Sequence, residues 1–170
     1  MRASAGVAIP FENTGVPYLK QFFVGGPNGI RAWNIRELGV GGYFDPNTPL
    51  SSTRYQTGNV KIEVSGEWRF PIWWRFQSAL FVDAGNVWLL RPDSSRPDAS
   101  FSPNFLKQMA VGVGSGLRID ASYAIIRVDV AYRVRNPYKD EFGNYLRPNL
   151  FKKWVYNEDF LINFAIGTPF

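Results

Sequence analysis

Four stretches of the sequence alternate bulky apolar residues with small or charged ones at a period of two, a pattern suited to β-strands with two unlike faces. The clearest sets Phe160, Ile162, Phe164, Ile166, Thr168 and Phe170 against Leu161, Asn163, Ala165, Gly167 and Pro169. Residues 125–135 set Ile126, Val128, Val130, Tyr132 and Val134 against Arg127, Asp129, Ala131, Arg133 and Arg135. Residues 109–120 oppose Val111, Val113, Leu117 and Ile119 to Gly112, Gly114, Gly116, Arg118 and Asp120. Residues 60–72 oppose Val60, Ile62, Val64, Trp68, Phe70 and Ile72 to Lys61, Glu63, Ser65, Glu67 and Arg69. Two looser candidates, 76–88 and 3–9, bring the expected strands to six.

Two-faced strands fit a soluble sandwich as well as a membrane barrel, since both give the two faces different surroundings. The connections separate the two. Along the chain they are long (10–59), short (71–75), long (89–108), short (120–124) and long (136–159), as expected where short periplasmic turns alternate with long extracellular loops. With Phe170 at the periplasmic end, Trp68, Phe70, Trp73, Trp74, Phe76 and Tyr123 fall at one level, as an interfacial aromatic girdle would. Trp88, Tyr132, Trp154, Tyr156 and Phe160 fall toward the opposite rim. The lack of any run of 18 apolar residues excludes a spanning helix, yet a transmembrane strand needs only about 9–11 residues with every second one apolar.

Composition narrows the chemistry. The 14 Phe, 8 Tyr, 6 Trp and 16 Gly, without a long amphipathic helix pattern, fit such a barrel. With no Cys and no His, disulfides, thiolate chemistry, Ser-His-Asp triads and the usual zinc ligand sets are unavailable. The net charge of +5 is scattered without a basic run and reads as a solvated polar face, so no nucleic-acid partner is expected. Gly112-Val113-Gly114-Ser115-Gly116 has the look of a phosphate loop but continues in strand period, without the helix start that such a loop requires. Asp120 and Asp129 could form an acid pair, although lumen charges explain them more simply. No cofactor, metal or catalytic residue is expected.

The first long connection carries Phe22-Phe23-Val24-Gly25-Gly26-Pro27-Asn28-Gly29-Ile30-Arg31-Ala32-Trp33. This resembles the loop signature of the BamA/TamA-type outer-membrane assembly factors, the bacterial surface antigen family, with Ala32 where that family usually has Gly. Phe81-Val82-Asp83-Ala84-Gly85-Asn86-Val87-Trp88 is similar to the family's aspartate-bearing strand, and Phe164-Ala165-Ile166-Gly167-Thr168-Pro169-Phe170 to its terminal strand. The segment Arg36-Glu37-Leu38-Gly39-Val40-Gly41 leans toward the TamA-like branch.

The resemblance implies an all-β, antiparallel transmembrane barrel portion over residues 1–170, about the last six strands of a barrel of about 16, with the periplasmic POTRA domains absent. Six strands left open in lipid would expose unpaired backbone groups, so either the chain continues before Met1, copies associate, or the first connection hides strands. The connection at 13–58 is expected to fold into the lumen, with Gly25, Gly26, Ile30, Arg31 and Trp33 as its motif. Glu67 and Asp83, on the charged faces of their strands, are the implied acidic partners of Arg31. Gly167 matches the glycine at which the terminal strand bends, giving with Phe170 one side of a lateral gate. The implied function is non-enzymatic insertion or translocation of proteins at the outer membrane. Its partners would be membrane lipid, substrate outer-membrane proteins and periplasmic or inner-membrane factors reached through POTRA domains. A passive solute pore closed by oligomerisation and a lipid-modifying barrel enzyme are the alternatives.

Overall fold

Six strands follow one another as a meander: β1 (Arg2–Val7), β2 (Val60–Trp73), β3 (Phe76–Trp88), β4 (Ala110–Asp120), β5 (Ile125–Arg135) and β6 (Phe160–Ile166). They are taken from a computed structural model that describes residues 1–11, 15–44, 56–139, 145–146, 156 and 159–167. Each strand pairs antiparallel with its chain neighbour, so order in space equals order in sequence. The fold is all-β, and the described helical turns are two 3-10 segments, Tyr18–Lys20 and Phe105–Gln108. The sheet is open, with β1 paired only to β2 and β6 only to β5 among the described residues.

The alternation of connection lengths follows from two tight turns at one end. Trp74 and Arg75 join β2 to β3, with Trp74 at φ 46° and the Arg75 guanidinium 4.9 Å from its ring centroid. Between β4 and β5 the Asp120 carboxylate accepts the Ser122 N–H at 2.8 Å, and Ser122 takes φ 72°. Asp120 is thus a turn-forming residue at the strand end, four positions along from Gly116, the partner of Asp129, and the two do not form an acid pair. The expected strand at 3–9 occupies Arg2–Val7, and the one at 160–170 is described as Phe160–Ile166. Phe170 and Trp154 lie outside the described residues.

The two faces of the sheet meet different surroundings. Trp68, Ile72, Leu80, Val82, Ile126, Phe164 and Ile166 are exposed on one face, and Trp73, Trp74 and Tyr123 are exposed at the turn end. Such a continuous apolar face suits hydrocarbon and would be a liability in water. On the other face Glu63, Ser65, Asp83, Arg118, Arg127, Asp129 and Arg133 are all buried. They are covered because the first connection folds across them, and the hydrophobic core forms there. Val24, Ile30, Ala32, Trp33 and Leu38 of the connection pack on Phe81 and Val87 of β3, Ala110 of β4 and Ala131 of β5. Fully burying a side chain the size of Ile, Leu or Val is worth about 1.5–3 kcal/mol, so the covering segment is an integral layer of the fold.

Trp88 ends β3 on the side away from the short turns, the rim at which the sequence placed it, and it is fully buried under the β3–β4 connection. Its indole N–H donates to Gln108 Oε1 at 2.7 Å, and Phe101 and Phe105 pack edge-on against the ring.

The assignment of faces predicts that Val82→Arg costs about 2–4 kcal/mol, the range for a cation at the bilayer midplane. Ser94→Arg in the β3–β4 connection should fall within about 0.5 kcal/mol of the parent. Denaturant unfolding from bilayers measures both, and equal costs would remove the lipid-face assignment.

Candidate functional site

The covering segment is shaped by a backbone that few residues other than glycine can follow. Gly25 and Gly26 have φ of 99° and 86°, in the left-handed half of the map that side chains disfavour. A Cβ on Gly26 would lie 2.5 Å from Ile35 Cγ1, and one on Gly25 would run into the Asn34 carbonyl. The Gly26 N–H donates to the Trp33 carbonyl at 2.7 Å, closing a loop that projects Ile30 and Arg31 onto the sheet. Each of these two residues is 1% exposed.

Arg31 is the centre of the site. Its Nε and Nη2 donate to the two carboxylate oxygens of Asp83, both at 2.8 Å, and its Nη1 donates to Glu67 Oε2 at 2.6 Å. The guanidinium lies 3.4 Å from the centroid of the Phe81 ring, and the Arg31 main-chain N–H also reaches Asp83, at 3.2 Å. Burial on its own pulls the Arg31 pKa down, but the hydrogen bonds and charges of Asp83 and Glu67 outweigh it and the net direction is upward. The group therefore stays a cation. This bidentate fork is geometry that a lysine cannot reproduce.

A second layer of charges holds these carboxylates and the loop. Arg118 of β4 bridges Glu67 at 3.2 Å and Asp129 at 2.5 Å, and Arg69 donates to the other oxygen of Glu67 at 2.6 Å. Arg127 of β5 donates to the Pro27 carbonyl at 2.7 Å and to Asn28 Oδ1 at 2.9 Å, while Arg2 of β1 donates to the Asn28 carbonyl at 2.6 Å. Arg133 donates to the Ala32 carbonyl at 2.8 Å and to Glu37 at 2.6 Å, and its guanidinium lies over Trp33. Asn163 of β6 donates to the Arg31 carbonyl at 2.8 Å. The segment is thus held from β1, β2, β3, β5 and β6, and β4 supports it by bracing Glu67.

The glycines on the inner face of β4 make room for this arrangement. A Cβ on Gly112 would come within 2.7 Å of Ala32 Cβ, and one on Gly116 would collide with the Asp129 carboxylate and with Arg118. At Gly114 the obstacles are the Val130 carbonyl and the Phe81 ring. Ala32 is not among the residues of positive φ, so its backbone does not call for glycine, and its methyl group occupies the space that Gly112 leaves.

Of the residues singled out in the sequence, Gly25, Gly26, Ile30, Arg31, Trp33, Glu67 and Asp83 meet in this one site. Gly167 lies apart from it, at φ 97° immediately after β6, and Phe170 is outside the described residues. Sequence reasoning did not assign Arg118, Arg127, Asp129, Arg133, Glu37 or Asn163 to the site. Their signal was present, because all except Glu37 lie on the inner faces of their strands, but only the register and the path of the loop join them. The carboxylates of Glu67, Asp83 and Asp129 are all engaged by arginines, an arrangement suited to holding a segment in place.

The space left by Gly112 makes a specific prediction. Gly112→Ala should destabilise the protein by about 1–3 kcal/mol through overpacking, and adding Ala32→Gly should restore most of that loss. Equilibrium unfolding of the two single variants and the double variant gives the coupling. Simple additivity would show that the two residues do not share the space.

No curated protein matches the chain significantly. The sequence does match the Omp85 superfamily domain across residues 1–170. Members of that superfamily are β-barrels of the bacterial outer membrane that serve protein insertion or translocation. The all-β meander with an apolar outer face seen among the described residues agrees with that match, and the chain belongs to the Omp85 superfamily.

Proposed function

We propose that residues 1–170 form the C-terminal part of a barrel that inserts or translocates outer-membrane proteins, with an Arg31-anchored lumen loop and a movable terminal strand. The observation that carries this reading is the seating of Arg31 between Asp83 and Glu67, which makes the loop a fixed wall beside that strand. β6 pairs with β5 over residues 126–132, with further bonds from the Gly167 N–H to the Ile125 carbonyl and from the Arg133 N–H to the Asp159 carbonyl, and its other edge has no strand partner among the described residues. Gly167 follows β6 at φ 97°, and a Cβ there would meet nothing within 4 Å, so crowding does not account for the glycine. A terminal strand whose outer edge is free among the described residues, with a glycine bend beside it, suits strand addition by a substrate.

In this reading further strands close the sheet against β1, giving a barrel of about 16, and POTRA domains supply contacts to periplasmic or inner-membrane factors. Arg31, Gly167 and Phe170 mark the loop anchor and the gate, and the segment Arg36–Gly41 supports a TamA-like branch of a non-enzymatic surface antigen family. The packing of the loop on the inner face argues against a passive pore.

Insertion of an unfolded outer-membrane barrel protein into proteoliposomes holding the full-length protein tests the proposal. Arg31→Glu should slow insertion about tenfold or more, because removing one partner of a buried ion pair costs about 3–5 kcal/mol. Undiminished insertion, or a steady uniform conductance from the parent protein without insertion, would overturn it.

A further inference from the structure

Asn163 lies on the inner face of β6, opposite Asp129 of β5. Its side-chain amide donates to the Arg31 carbonyl, while the N–H and guanidinium of the same arginine are held by Asp83 of β3. One loop residue therefore ties β3 to β6. We infer that Asn163 is a register pin, a positioning residue that couples seating of the lumen loop to the pairing of the terminal strand.

No other inner-facing residue of β6 could make this bond. The inner-facing residues of β6 are Leu161, Asn163 and Ala165, opposite Ala131, Asp129 and Arg127. A slip of two residues keeps the faces but brings Leu161 or Ala165 opposite Asp129, and neither side chain can donate a hydrogen bond. A slip of one residue turns Ile162 and Phe164 onto the charged face. Only the observed register satisfies the Arg31 carbonyl, in a residue 1% exposed, and a buried carbonyl left without a partner is costly. The adjoining Ala32 carbonyl is held by Arg133 of β5, so consecutive loop carbonyls are fixed by consecutive strands. Coupling of this kind is reciprocal: displacing β6 loosens the loop, and unseating the loop loosens β6. Its meaning for function rests on β6 acting as the movable strand.

The test uses the full-length protein in outer-membrane vesicles and two readouts that do not involve insertion. Cysteines at Val130 and Ile162, which oppose each other on the outer face, report the native register by disulfide cross-linking. Cysteines at Val130 and Phe160 report a two-residue slip. Trypsin cleavage after Arg36 reports loop seating. Asn163→Ala should speed that cleavage roughly tenfold, the effect of losing one buried hydrogen bond, and move cross-linking from the native to the slipped pair. Arg31→Ala, which attacks the loop from its other side, should shift the cross-links in the same direction. Phe164→Ala, on the outward face, should change neither readout. An Arg31→Ala loop that is cut freely while native cross-linking stays at the parent level overturns the coupling, and this arm decides alone if Asn163→Ala fails to assemble. Loss of insertion in Arg31→Glu with no cross-link shift in Arg31→Ala would leave the proposed function standing and remove only the pin.

Discussion

A guanidinium with 1% of its surface exposed must find its counter-charges inside the protein, and much of this architecture supplies them to Arg31. Asp83 and Glu67 stand on adjacent strands with their carboxylates converging on one point. Those carboxylates are buried too, and a cluster of three arginines, Arg31, Arg118 and Arg127, faces the three acids Glu67, Asp83 and Asp129. Desolvating charges is expensive, and the cost is offset only when geometry is close to ideal and the remaining donors are filled. The Gly25-Gly26 turn, the Phe81 ring beneath the guanidinium and the glycines of β4 all contribute to that geometry.

The sheet consequently has an inverted character compared with a soluble β-protein. Its apolar, aromatic side chains face outward, and its charged residues lie inside under a loop that carries its own apolar layer. Ion pairing fixes where the loop sits, whereas Ile30, Trp33, Leu38 and their neighbours supply most of the non-directional attraction that keeps it there. Specific position and bulk affinity thus come from different residues.

Much of this was legible in the sequence because strand faces are a local property. Alternation at period two located the six strands and put Glu67 and Asp83 on one side, and the alternating connection lengths fixed which ends carry tight turns. The Arg31 pairing came from resemblance, with the strand faces permitting it. Arg127, Arg133 and Asn163 were visible as inner-face residues, yet nothing local says which loop carbonyl each would meet, since that depends on the register of strands more than 90 positions away. Small residues on β4 were evident, but Gly112 gains its meaning only opposite the Ala32 methyl group. Trp88 shows the same limit: its level near the rim was legible, but its burial was not, because Gln108, Phe101 and Phe105 of the following connection close over it.

The claim on which the rest depends is that the Arg31 loop is a packed part of the fold. Amide hydrogen exchange on the full-length protein in bilayers measures this directly, because protection reports the free energy of local opening. The amides of Gly26, Arg31, Trp33 and Arg36, each a donor to a named acceptor, should exchange as slowly as those in the middle of β2 and β3. Exchange of these amides as fast as that of the exposed connection around Arg91 and Ser94 would contradict it.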